Sequence, residues 1–301
     1  MNDRNATNQP AGATDPAFAK SAFKTNERGF RRIIRAPQQP LPPLACDTHM
    51  HIVGPFTDYP LRETRSLQPP EATLDDYRGV LRTTGLQRNV IVQPSFFAKD
   101  NACTLDAAQA LGANARAVVV VDADVAAAQI AQMHACGARG VRLQRIVSGG
   151  ASIDDLERIA ERIGPFGWHI QLYLDASELP ELASRLRSLP VDVVFDHMAH
   201  IHRGSGVDQS GFGVLLELLA AGRTWVKLSG ARFVPDAARA RRLIEANPER
   251  MLWGSDWPHV AYEEDVPDEG RLLDLLAEWA PDEALRRRIL VDNPALLYFS
   301  A

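Results

Sequence analysis

Two histidines one residue apart, His49 and His51 in "CDTHMHI", close an apolar run and follow an acid. Residues two apart on an extended chain project to the same side, so both rings can face one site. Such a pair can ligate a metal, polarise a carbonyl, or simply cap a strand. Further along, "FDHMAHIH" supplies Asp196, His197, His200 and His202, and "GSDWPH" sets Asp256 between Ser255 and Trp257. Together these types support hydrolysis: a carboxylate accepts a proton from water, and imidazoles or a bound cation steady the developing oxyanion. Taken singly, a strand-end His or Asp more often caps a helix or satisfies a loop amide.

The elements that must position them are short and apolar. "ACDTHMHIV", "RNVIVQP", "RAVVVVDA", "RGVRLQR", "WHIQLYLDA", "VDVVFDHM", "TWVKLSG" and "MLWGSDWP" are eight expected strands. Amphipathic stretches with helix-end signals separate them: Thr73 with Asp76 opens one that Gly85 closes, and Ser152 with Asp155 opens another ending at Gly164,. Continuous apolar strands, each followed by a helix, imply a parallel sheet covered on both faces. Eight such units over about 250 residues predict an α/β fold of the closed (β/α)8 TIM barrel type. Residues 1–44, rich in Pro, Asn, Ala and Arg and without periodicity, form an expected N-terminal arm, and residues 45–301 the barrel,. No GxGxxG or GxxxxGK[ST] follows a strand, which argues against dinucleotide or P-loop chemistry,.

In this architecture the site lies at the C-terminal ends of the strands, and the polar residues recur there. The second strand ends with Gln93 and Ser95, the fourth carries Arg142, Gln144 and Arg145, the fifth Tyr173 and Asp175, and the seventh runs into Lys227, Ser229 and Arg232. Arg142 and Arg232 can each hold a carboxylate through two parallel hydrogen bonds. Arg145 offers a further carboxylate contact, although alternation along the strand can point it away from Arg142.

On these residues the chain resembles the amidohydrolase superfamily, whose signature is an HxH on the first strand and an Asp on the eighth. More narrowly, "DTHMHIVGPFTDYPL", "VIVQPSFFAKDN", "RGVRLQR", "VFDHMAH", "KLSG" and "WGSDWPH" are similar to the branch of 2-pyrone-4,6-dicarboxylate hydrolases, sulfomuconolactone hydrolases and galactarolactone isomerases. The resemblance covers residues 45 to about 299, including "DNPALLYF", and leaves out the arm. It implies a lactonase acting on a small anionic lactone. Asp256 would activate water, His49, His51 and His197 would polarise the carbonyl, and Tyr59, Ser95, Arg142, Tyr173 and Arg232 would bind substrate. It also implies chemistry without a cofactor. A binuclear centre would need a bridging Lys or Glu on the fourth strand and a His on the fifth, where this chain has Arg142, Gln144 and Tyr173. One Zn2+ on His49, His51 and Asp256, with His197 or water as the fourth ligand, is the alternative. A zinc-dependent decarboxylase and a lactone isomerase are the competing activities. "IVSGG" has no arginine where the dicarboxylate hydrolases place their second carboxylate binder, so a substrate with one carboxylate is comparably favoured.

Composition removes other classes. A net charge of -5 and a pI near 5.9 offer no general attraction to nucleic acid or anionic lipid,. The basic "ARARR" at 238–242 suits the exposed face of a helix. No run approaches the roughly 20 apolar residues of a membrane helix. Prolines after "GFRRIIRAP" replace the apolar core that a twin-arginine export signal needs,. Cys46, Cys103 and Cys136, odd in number and widely spaced, predict reduced thiols in a cytoplasmic protein,. No cysteine has a neighbouring histidine and Ser95 lies in no GxSxG turn, so nucleophilic catalysis is not expected,.

Overall fold

The computed structural model describes residues 34–63, 65, 67–145, 151–200, 210–229, 237–260 and 266–300. Its sheet has eight parallel strands in sequence order: β1 Cys46–Met50, β2 Arg88–Val92, β3 Ala115–Val119, β4 Ala138–Gln144, β5 His169–Tyr173, β6 Val193–Phe195, β7 Thr224–Leu228 and β8 Met251–Trp253. β8 returns to β1 through two hydrogen bonds, from the Asp256 amide to the His49 carbonyl and from the His51 amide to the Trp257 carbonyl, both 2.8 Å. The barrel therefore closes at the residues singled out for chemistry. Helices α1 Leu74–Thr84, α2 Ala102–Leu111, α3 Ala127–Ala135, α4 Leu156–Ile163, α5 Leu179–Ser188, α6 Ser210–Ala220, α7 Ala237–Ala246 and α8 Glu269–Trp279 alternate with the strands, and a short α9, Glu283–Arg287, follows. This is the (β/α)8 barrel expected from the alternation.

Local signals operate largely as expected. Thr73 and Asp76 form a capping box at the start of α1, and Gly85 ends it at φ +82°, a conformation that costs glycine little,. The Ser152 end differs in detail. Its side chain accepts from the Asp154 amide, and a 3-10 turn at Ile153–Asp155 precedes α4. Ser152 leads two acids that both favour a helix start, so the nearer amide takes the bond and tightens the first turn.

Alternation divides the core in two. Cys46, Val90, Val92, Val118, Val194, Trp225, Leu252 and Tyr298 pack as one buried group inside the barrel. The opposite strand positions, including Ile91, Val119, Leu143, Leu172 and Phe195, join the larger layer under the helices. Of the arm, residues 34–44 are described and run across α8, where Arg35 and the Gln38 amide both bind Asp274. The rest of the expected arm lies outside the described residues. Among the described residues no helix is long and apolar enough to cross a membrane.

Candidate active site

At β1 the strand pairing slips between Asp47 and Met50. Cys46 faces the barrel interior, and the irregularity brings His49 to the interior too, a common use of a bulge beside a site,. Asp47 anchors this seam. It accepts from the Ser255 hydroxyl at 2.6 Å, the Ser255 amide at 2.9 Å, the His49 amide at 3.1 Å and the Tyr77 hydroxyl at 3.0 Å. Burial raises the Asp47 pKa while these donors oppose the rise. The bonds lock the strand carrying the histidine pair to the turn carrying Asp256.

Space at the seam is just as restricted. A methyl group on Gly254 would lie 2.5 Å from His49 Cβ and 2.9 Å from its amide nitrogen, so the β1 backbone would have to move. Gly254→Ala is expected to lower kcat/KM by about 10-fold or more and to destabilise the fold by about 1–3 kcal/mol. Steady-state kinetics and denaturant unfolding check this; normal kinetics in a folded variant would show that the seam tolerates the shift.

Asp256, at φ +67°, has turned back toward β1. Three imidazole nitrogens surround its Oδ1: His51 Nε2 at 3.5 Å, His49 Nε2 at 3.7 Å and His197 Nε2 at 3.7 Å. Burial would raise the Asp256 carboxyl, but His197, His51 and His49 outweigh it and hold the group below the usual carboxylate range. His51 Nδ1 lies 2.7 Å from the Val92 carbonyl. A carbonyl only accepts, so that nitrogen carries the proton, and in the neutral ring Nε2 turns its lone pair to the site. His197 is oriented through Nδ1 by the Ser229 hydroxyl at 2.9 Å. Burial lowers the pKa of His197 and, more strongly, of His49.

Beneath this face lies a second, buried layer of polar side chains. Asp196 is fully buried. Its Oδ2 accepts from Arg142 Nε and Gln171 Nε2, both at 3.1 Å, while Oδ1 lies 3.0 Å from His49 Nδ1 and 3.6 Å from Lys227 Nζ. Lys227, also fully buried, donates to Gln171 Oε1 at 2.7 Å and approaches His49 Nδ1 to 3.3 Å. Burial draws Lys227 down to about 8 although Asp196 opposes it. Asp196 itself is held well below the usual range because His49, Lys227 and Arg142 outweigh its burial. In the sequence Lys227 reads only as a strand-end lysine, and Gln171 carries no mark of a site. The available signal was alternation on β5, where His169, Gln171 and Tyr173 occupy every second position of an otherwise apolar strand,.

The substrate-binding candidates divide. Arg142 is buried beside the cluster, with its Nη1 3.4 Å from the Gln93 carbonyl and its guanidinium 5.1 Å from the centre of the Tyr173 ring. Tyr173 also stacks edge-on with His197 at 5.4 Å. Tyr59 stands on the loop after β1, and its hydroxyl donates to Asp106 on α2 at 2.8 Å; burial and Asp106 push that hydroxyl up to about 12. Ser95 is buried in the turn after β2. No contact joins Tyr59 or Ser95 to the Asp256 cluster among the described residues, and Arg232 lies outside them. Arg145 turns out to pair with Glu178 at 2.8 Å, and Asp175 caps the turn after β5, so both serve local structure.

A divalent cation also fits the donor set. Tetrahedral zinc with bonds of about 2.0–2.1 Å holds its ligand atoms about 3.4 Å apart, and the imidazole-to-Asp256 distances of 3.5–3.7 Å are near that and long for hydrogen bonds,. Among the described residues the set with all ligand atoms within 4.8 Å is His49, His197 and Asp256, so His197 enters where His51 was expected. A cation held there would polarise a carbonyl and acidify water. Arg142 opposes a cation less than its charge alone suggests, since Asp196 binds it.

The amidohydrolase family model matches residues 46–299. The chain belongs to the amidohydrolase family. It is 36% identical over 271 residues to a 4-sulfomuconolactone hydrolase of Hydrogenophaga intermedia, covering 86% of this chain and 89% of that one. It is 35% identical over 283 residues to a 2-pyrone-4,6-dicarboxylate hydrolase of Comamonas testosteroni, covering 87% and 92%. A D-galactarolactone isomerase of Agrobacterium fabrum is 33% identical over 275 residues, covering 87% and 94%. As an amidohydrolase, this protein is an enzyme with its candidate site at the barrel mouth.

Proposed function

We propose that this amidohydrolase opens a small carboxylated lactone by hydrolysis. The observation that carries the reading is the ring of imidazole nitrogens at 3.5–3.7 Å around an ionised Asp256, with the Arg142 guanidinium in the adjoining buried layer. A lactone is an activated ester, and its opening needs a base, oxyanion donors and an anchor for the acid group. Asp256 takes the proton from water as the water oxygen bonds to the lactone carbonyl carbon. His197, whose Nδ1 accepts from the Ser229 hydroxyl and whose Nε2–H then faces the site, steadies the carbonyl oxygen, the ring ester bond breaks, and the proton passes to the departing alkoxide. Arg142 holds the substrate carboxylate.

We assign the reaction to these side chains without a metal: Asp196 is the counter-ion of Arg142 and Lys227 beneath the site, and His51, His49 and His197 surround Asp256. The unpaired thiols of Cys46, Cys103 and Cys136 support a cytoplasmic location,. The isomerase relative favours one second reading, in which a substrate hydroxyl replaces water as the acyl acceptor.

Turnover of carboxylated lactones in oxygen-18 water tests the assignment. Hydrolysis places one labelled oxygen in the product carboxylate, isomerisation places none, and no turnover across muconolactone, pyrone dicarboxylate and sugar-acid lactones would reject the reading. Chelator-treated enzyme should keep its activity. Loss restored by Zn2+ would assign His49, His197 and Asp256 to a metal.

A further inference from the structure

Gln144 is the last residue of β4, and it is 7% exposed. Neither its Nε2 nor its Oε1 has a hydrogen-bond partner among the described residues. Gln144 is in register with Tyr173, whose ring packs against Arg142 and His197. It also shares the strand face of Arg142 two positions earlier, whereas Leu143 joins the layer beneath the helices,. Its carboxamide therefore turns to the barrel mouth beside the site.

A buried, unpaired amide is costly and is seldom retained without a partner that arrives later. The chemistry of that partner follows from the group itself, which has two N–H donors and one carbonyl acceptor. A carboxylate or ring carbonyl can only accept and would leave Oε1 unpaired. Two neighbouring hydroxyls satisfy both atoms, one donating to Oε1 and the other accepting from Nε2. We propose that Gln144 reads a pair of neighbouring hydroxyls on the substrate, which makes a hydroxylated sugar-acid lactone the preferred class over an unsaturated muconolactone or pyrone. This rests on the lactone reading above: Arg142 anchors the carboxylate and Gln144 the neutral, hydroxyl-bearing part.

The test compares kcat/KM for D-galactarolactone and muconolactone in the wild type and in Gln144→Met. The wild type should prefer the hydroxylated lactone by about 100-fold or more, because a site built around a hydroxyl rejects the analogue that lacks it. In Gln144→Met that preference should fall by about 10-fold or more, and Gln144→Glu, which offers acceptors only, should fall between. A general weakening of the barrel would lower both substrates together and leave the ratio unmoved. An unchanged ratio, or a wild-type preference for muconolactone, overturns the proposal. Should Gln144→Met not fold, the same ratio is read from Gln144→Glu. If the wild type opens neither lactone, the lactone reading fails, and calorimetric binding of galactarate decides on Gln144 alone. A Kd raised about 10-fold in the variant supports its role; equal affinity, or no binding to the wild type, rejects it.

Discussion

Replacing Asp256 with asparagine is expected to lower kcat by about 100-fold or more in a protein that still folds and still binds substrate, the scale of a lost general base. Asparagine keeps the size of the side chain and can still face the histidines, but it carries no charge and accepts no proton. The carboxyl is held below its usual range, so it is ionised near neutral pH and ready to act. Its low basicity also means that an accepted proton does not stay. The lone-pair nitrogens of His51 and His49, 3.5 and 3.7 Å away, are positioned to take it on toward the leaving group. Single-turnover kinetics with a folded variant check the point, and near-normal turnover would remove Asp256 from the base role.

The second large effect is expected at Asp196, which never meets water. Asp196→Ala leaves Lys227 and Arg142 buried without their shared counter-ion, a loss on the order of 3–5 kcal/mol. Denaturant unfolding measures it. Lys227→Met removes one of the stranded charges, so the double variant should be more stable than the sum of the single effects by about 0.5–3 kcal/mol. Strict additivity would show that the two groups do not share one network. The pH dependence has a definite sign. The folded pKa of Asp196 lies below its unfolded value of about 3.9, so its contribution is present above pH about 4 and is lost as pH falls through the folded value,. Asp196→Asn should flatten that acid limb of the stability curve.

Much of this architecture is legible in one dimension because its determinants are local. An apolar run bounded by helix caps requires only neighbouring residues, and eight repeats of that unit leave few ways to bury the strands on both faces. Two histidines at i and i+2 must share a side of a strand, so the pairing of His49 with His51 needs no tertiary information. His197 shows where such reasoning ends. It lies in a left-handed turn, His197 to His200, with φ between +50° and +56° and no glycine. Each such residue costs about 1–2 kcal/mol, and no sequence preference announces it; burial of Met198 and Ala199 and the bond to Ser229 hold the turn in place.

Periodicity and residue chemistry alone specify the barrel, the end of it that carries the polar residues, and the histidine and aspartate types available for hydrolysis. Which of them meet is a property of the folded chain. His49 and Asp256 are joined through the closure of β8 on β1, and Gln171 of β5, Lys227 of β7 and Asp196 just past β6 converge to hold His49 from below. Those contacts span separations of 25 to 207 residues. Which distant polar groups share a dry interior is set by strand register and by the space left beside Gly254, and neither is written in a local pattern,.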